Sequence, residues 1–314
     1  MLGYVIRRVL ATIPVMIIVA AVVFLMLRLS PGDPASVIAG DYATAEDIVR
    51  IREQLGLNEP ILVQFTKWIG ALVQGDLGTS IFSNKPVTEL IAQRIEPTIM
   101  LTLTTIIFTV LVAVPLGTLA AWKAGSWIDR GVMLFSVAGF SVPVFVLGYI
   151  LIYVISIQLK WLPVQGYRSM FEHGLWPFLR HIIMPTVTLS VIFIALIARM
   201  TRASVMEVLQ EDYVRTARAK GQSELKVLLQ HALRNAAVPI VTVIGIGIAL
   251  LIGGVVVTES VYNIPGLGRL VLDAVLARDY PIIQGLILFF SFIYILINLL
   301  IDLSYTFFDP RIRY

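Results

Sequence analysis

The sequence predicts an all-α integral membrane protein with six transmembrane helices and both termini on the cytoplasmic side. Three observations carry that fold class. The 314-residue chain is 58% hydrophobic and 14% charged, whereas soluble domains are about a quarter charged. Six apolar stretches, at 9–29, 98–121, 132–157, 182–198, 239–258 and 281–302, approach the ~20 helical residues that cross a hydrocarbon core of ~30 Å. The basic residues of the loops between them are unevenly shared.

The first stretch follows Arg7 and Arg8 and runs without a charge from Val9 to Leu27, 19 residues. It is longer than a signal-peptide core, and no small-x-small cleavage site follows before Pro31, so it is expected to remain as a span. Pro115 and Pro143 fall inside the second and third stretches. A soluble helix would break there, but neighbouring membrane helices can satisfy the freed carbonyls, so both prolines are expected to be tolerated.

Loop charge orients the spans. With the N-terminus inside, segments 1–8, 122–131, 199–238 and 303–314 carry 13 Lys/Arg and 6 Asp/Glu in 70 residues. Segments 30–97, 158–181 and 259–280 carry 10 basic and 13 acidic residues in 114. Basic density is therefore higher inside.

The long 30–97 loop is patterned. Thr44 and Asp47 form a capping signature for a helix through Ile48, Ile51 and Leu55 that stops at Gly56. Pro60 opens a second helix, through Phe65, Trp68 and Leu72, that ends at Gly75. Pro86 opens a third that ends before Glu96-Pro97. A small folded cap outside the membrane is expected, with a plain spacer as the alternative. Beyond span five, Asn263-Ile264-Pro265-Gly266-Leu267-Gly268 is turn chemistry, followed by an amphipathic helix from Arg269 to Ala277. The expected organisation is a first span (1–29), an outer cap (30–97), a five-helix core (98–303) bearing an inner loop (199–238), and a tail (304–314).

The spans lack Asp, Glu, Lys, Arg and His at mid-depth, where proton- and ion-coupled carriers usually place them. Thr102, Thr104, Thr105, Thr109, Ser136, Ser141, Ser190 and Ser291 read as packing residues. Asn298 and Gln284 are polar candidates for lining a pathway; an interhelical hydrogen bond is the competing account of Asn298. Gly245, Ala249 and Gly253 repeat every four residues in span five, which allows close approach of another helix of this subunit or turns this face toward a partner subunit or the pathway, so Gly245 and Gly253 join the pathway candidates.

Catalysis finds no support. His173, His181 and His231 have no Ser or carboxylate partner at a recognisable spacing, and no HExxH or Gly-Lys-Ser/Thr occurs. With no cysteine, thiolate metal sites and thiol nucleophiles are excluded. No cofactor or metal is implied. Basic residues sit beside apolar spans and form no groove-sized cluster, which argues against nucleic acid. Uphill transport would need energy from another chain.

The 199–238 loop is the largest inside. Glu211 and Arg215 stand four apart in the favourable order, and the helix through Asp212, Tyr213, Thr216, Ala217 and Arg218 is expected to end at Gly221 as a left-handed C′ residue. Ser223 then caps a second helix, whose Leu225, Leu228, Leu229, Ala232, Leu233 and Ala236 make one apolar stripe. Such a pair could lie on lipid or dock on a partner.

The run Glu211-Asp212-Tyr213-Val214-Arg215-Thr216-Ala217-Arg218-Ala219-Lys220-Gly221, with His231-Ala232-Leu233-Arg234-Asn235-Ala236 beyond it, resembles the permease subunits of binding-protein-dependent ABC importers, in the dipeptide, oligopeptide and nickel branch. Pro31-Gly32-Asp33-Pro34, Ile264-Pro265-Gly266-Leu267-Gly268 and Asp309-Pro310-Arg311-Ile312-Arg313 match the same branch. The wider family reads Glu-Ala-Ala, three residues, Gly, nine residues, Ile-x-Leu-Pro. Aligned on Gly221, this chain has Arg215-Thr216-Ala217 and His231-Ala232-Leu233-Arg234, departures that the peptide branch shares. The resemblance implies a type I importer permease fold in a bacterial or archaeal cytoplasmic membrane. It makes Glu211, Asp212, Tyr213, Arg215, Thr216, Ala217, Arg218 and Gly221 the contact with an ATPase. It further implies a second homologous permease subunit, two ABC ATPase subunits and an extracytoplasmic solute-binding protein. The implied solute is a di- or oligopeptide or a small peptide such as glutathione, with nickel complexes as the alternative. A secondary carrier or channel is the rival class.

Overall fold

The computed structural model describes residues 2–28, 34–40, 43–54 and 56–308, and among them every regular element is helical apart from one β-bridge, Thr79 to Pro86. Leu55 and the motif residues 31–33 and 309–313 lie outside the described residues. In chain order the helices are α1 (Leu2–Arg28), α2 (Pro34–Ala39), α3 (Ala45–Gln54), α4 (Ile61–Val73), α5 (Val87–Trp122), α6 (Trp127–Ser141), α7 (Val144–Leu151), α8 (Met170–His173), α9 (Leu175–Leu209), α10 (Asp212–Ala219), α11 (Glu224–Lys226), α12 (Ala237–Val261), α13 (Leu267–Ala277) and α14 (Tyr280–Phe308). Wider π-helical turns extend α7 over Ile152–Gln158 and α11 over Val227–Leu233.

Four of these, α5, α9, α12 and α14, are long and apolar enough to cross a membrane, and α6 with α7 forms a fifth, bent candidate. Helix α1 lies where the first span is expected, and its described apolar stretch, Leu10–Met26, is shorter than those of the four long spans.

Two expectations about proline are corrected. The third span does not run through Pro143: α6 and the helix after it meet at 102°. Pro143 disfavours helical backbone at the residue before it, and Val142 is extended at φ −95°, ψ 120°. Conversely, the third cap helix does not stop before Pro97. It continues as α5 through both Pro97 and Pro115. The carbonyl that Pro97 leaves without its N–H belongs to Gln93, an exposed residue, so the loss falls where other partners are accessible.

The chain divides into two compact units, Met1–Ile95 with Leu270–Leu296, and Glu96–Arg269 with Ile297–Tyr314. In the first, Ala20 and Val23 of α1 pack with Leu288 of α14 and Trp68 and Leu72 of α4. Phe24 meets Phe65 edge-on at 5.1 Å. Helix α3 has the expected capping box: the Asp47 amide donates to Thr44 Oγ1 and the Thr44 amide to Asp47 Oδ2, both 3.2 Å. Ahead of α14, the buried Asp279 carboxylate accepts the Ser80 hydroxyl at 2.6 Å.

The second unit is organised on α9. In its most apolar stretch 67% of residues are buried, against 22–33% in the other three long spans. Lipid tails are as apolar as leucine, so helices gain here from close contact rather than from leaving water. Gly117 shows the device: a Cβ there would overlap the Ala198 carbonyl and lie 2.7 Å from Thr201 Cβ, so only glycine lets α5 cross α9 this closely. Several hydroxyls along the spans bond back to their own helix, among them Thr102 to the Thr98 carbonyl and Ser136 to that of Val132.

Glu259, near the end of α12, is fully buried. Its carboxylate accepts the Thr98 hydroxyl at 2.6 Å and the Arg269 amide at 3.0 Å, while Thr98 Oγ1 accepts the Leu267 amide at 2.8 Å. The acid thus caps the N-terminus of α13, where a negative group is favoured. A Cβ on Gly266 would coincide with this carboxylate, which gives the Ile264–Gly268 turn its physical reason.

Candidate functional site

Helix α9 carries the chain out of the packed spans to Leu209, and α10 starts after two residues. Val214 and Ala217 of α10 are buried and pack with Val227, Val208 and Leu209. That seats one face of α10 on the end of α9. The other face presents Glu211, Asp212, Tyr213, Arg215, Thr216 and Arg218, all exposed. Seven of the eight residues singled out in the sequence, Gly221 among them, therefore lie at the surface; Ala217 is the exception, serving to hold the helix down.

Gly221 takes the expected left-handed backbone, φ +77°. Its amide donates to the Arg218 carbonyl at 2.9 Å, and the Gln222 amide to that of Ala217 at 3.3 Å. These bonds close the last carbonyls of α10 and turn the chain. Nothing lies within 4 Å of where a Gly221 side chain would start, so the glycine serves conformation alone.

Other details differ from expectation. Arg215 pairs with Asp212 at 3.3 Å, one turn back, rather than with Glu211. Ser223 begins the next helix with extended backbone, but its hydroxyl makes no cap bond. The apolar stripe is broken, because the π-helical turn over Val227–Leu233 adds backbone and rotates the register. Val227, Leu228 and Ala232 are buried while Leu225 and Leu229 point outward. Two interactions had no sequence signal: Arg218 grips Glu224 across the turn, and His231 Nε2 lies 2.7 Å from Gln222 Oε1. Partial desolvation raises the Tyr213 hydroxyl pKa above its ordinary value although the side chain reaches the surface. The result is a small surface of mixed charge with Tyr213, Leu225 and Leu229 as apolar points, suited to docking rather than to bond chemistry.

The pathway candidates scatter. Gln284 is buried and donates to the Val23 carbonyl at 3.0 Å, tying α14 to α1. Asn298 is half-buried on α14. Gly245 is enclosed, since a Cβ there would run into Ile301, whereas Gly253 is exposed with nothing within 4 Å. The small-residue row is therefore split between internal packing and an open face. Among the described residues no cluster of three or more His, Asp or Glu could hold a metal.

Residues 113–314 match the family model described as binding-protein-dependent transport system inner membrane component, and residues 1–102 match the model of the N-terminal part of such membrane components. The chain is 57% identical over 311 residues to a probable peptide ABC transporter permease, y4tP, of Sinorhizobium fredii, covering 99% of each chain. It is 48% identical over 314 residues to the glutathione transport system permease GsiC of Salmonella paratyphi A and of Escherichia coli K12, covering 100% of each. Its backbone is similar to a chain of the inward-facing MetNI methionine ABC transporter, with TM-score 0.57 and 17% identity over 71% of this chain and 97% of the other.

Proposed function

This chain belongs to the family of binding-protein-dependent transport system inner membrane components, and from that membership we propose that it is one permease subunit of an ABC importer for peptides or glutathione. The observation that carries the reading is end-to-end similarity to peptide and glutathione permeases in a chain whose residues 210–236 fold as an exposed knob at the end of the continuous α9. The protein crosses the cytoplasmic membrane six times: α1, α5, the bent pair α6–α7, α9, α12 and α14. Both termini and α10 lie in the cytoplasm, as the loop charges favour. Each α10 seats on one of two ATPase subunits, and a second homologous permease completes the pathway. A solute-binding protein delivers cargo to the outer segments, including 30–97. The chain supplies passage, and ATP hydrolysis resides on its partners.

The test is reconstitution. Alone in liposomes the chain should transport nothing under an imposed proton or sodium gradient. With its ATPases, second permease and binding protein it should take up labelled glutathione or dipeptide on addition of ATP, and a nickel chelate should serve as the competing cargo. Gradient-driven uptake by the isolated chain would overturn this reading in favour of a secondary carrier.

A further inference from the structure

Asp129 lies in the first turn of α6 and is buried at 4% exposure. Both of its carboxylate oxygens are engaged by one guanidinium: Arg202 of α9 meets Oδ1 through Nε and donates from Nη2 to Oδ2 at 2.8 Å. The Gly125 amide donates to Oδ2 at 2.9 Å. A two-pronged contact of this kind fixes rotation as well as separation. As a source of stability it is a poor choice, because apolar residues of similar size commonly do as well in a buried site. What it supplies is geometry.

A second contact lies further along the same two helices. The Cβ position of Gly139 is 3.1 Å from Ala195 Cβ and 3.4 Å from Val191. Two contacts about 15 Å apart along α6, at 1.5 Å per residue, prevent it from swivelling on α9. Beyond Arg202, α9 continues unbroken to Leu209, beside α10. Beyond Gly139, α6 ends at Val142–Pro143, where the 102° bend begins. Breaks of this kind absorb backbone rotation when packed elements move.

We propose that Asp129 and Arg202 are positioning residues for coupling: their clasp makes α6 and α9 one lever, so that displacement of α10 is delivered to the break at Val142–Pro143. This rests on the reading of α10 as the ATPase contact.

The experiment uses the complete reconstituted complex and the ratio of binding-protein-stimulated to basal ATP hydrolysis. The double variant Asp129→Leu/Arg202→Met removes the clasp without leaving a buried unpaired charge. It should keep normal membrane abundance and ATPase co-purification while the ratio falls about fivefold or more. The natural chain has no cysteine, so Asp129→Cys/Arg202→Cys can be joined by a reversible bis-methanethiosulfonate linker. Linking should restore the ratio and reductant should abolish it again, a reversal that a merely structural role would not give. Full stimulation in the Leu/Met variant, or a loss that the linker does not repair, overturns the clasp while α10 remains the contact. Failure of the ATPases to co-purify with the unaltered chain overturns the docking reading, and the clasp with it.

Discussion

Arg218 and Glu224 meet across the turn at Gly221, Nε to Oε1 at 2.9 Å and Nη2 to Oε2 at 3.3 Å. Both side chains are partly exposed, at 38% and 48%, so the pair contributes at most about 1 kcal/mol to stability. Gly221 allows the turn, and the ion pair ties its two sides together.

Gly221→Val should therefore leave the chain in the membrane at near-normal abundance but uncouple it from its ATPases. The left-handed backbone costs a β-branched residue on the order of 1–2 kcal/mol, which opening the turn relieves. Arg218→Glu should act in the same direction, and Arg218→Glu/Glu224→Arg should recover most of the loss. Binding-protein-stimulated ATP hydrolysis measures each; full stimulation in Gly221→Val and Arg218→Glu would mean that this turn transmits nothing.

The split of the small-residue row on α12 gives a paired prediction. Gly245→Leu collides with Ile301 and should lower thermal stability in detergent by about 1–3 kcal/mol. Gly253→Leu meets open space in the chain itself. If that face receives the second permease, it should leave the lone chain's melting unchanged and reduce co-purification of the partner subunit. Equal melting losses in both variants would place Gly253 inside the chain's own packing.

Gly266→Ala should be far more damaging than its size suggests. The added methyl group occupies the place of the Glu259 carboxylate and drives it from the Thr98 hydroxyl and the Arg269 amide. An uncompensated buried charge costs about 3 kcal/mol or more. Thermal unfolding should show that loss, and Gly266→Ala/Glu259→Ala should recover part of it by removing the displaced group.

Loop charge yields a topological prediction. A reporter active only outside the cytoplasm should work when fused near Gly78 or Gly174 and fail near Gln222. Activity at Gln222 would invert the orientation.

The sequence made the apolar stretches, the Thr44–Asp47 cap and the Gly221 turn legible because each depends on neighbours within a few residues. It misjudged Pro97 and Pro143 because the fate of a proline depends on the exposure of the carbonyl it frees, at Gln93, and on the backbone it imposes on the residue before it, at Val142. The outward turn of Leu225 and Leu229 was hidden for a related reason: a seven-residue π-helical stretch over Val227–Leu233 breaks the 3.6-residue periodicity from which a stripe is read. Asp129 and Arg202 each looked like ordinary loop charges, since nothing local marks two residues 73 apart as a pair.

The bond between Thr98 and Glu259 also sets an order of assembly. Glu259 follows Thr98 by 161 residues. At about 5–20 residues per second, synthesis of that stretch takes roughly 8–30 s. Through that interval α5 is already made, yet its Thr98 hydroxyl has no carboxylate to meet. Glu259 is made just ahead of α13 (Leu267–Ala277), so the acid is waiting when the helix it caps emerges, and the last-made third of the chain completes an end of the second unit that the first third began. A chain that ends before Glu259 therefore lacks the partner of the Thr98 hydroxyl.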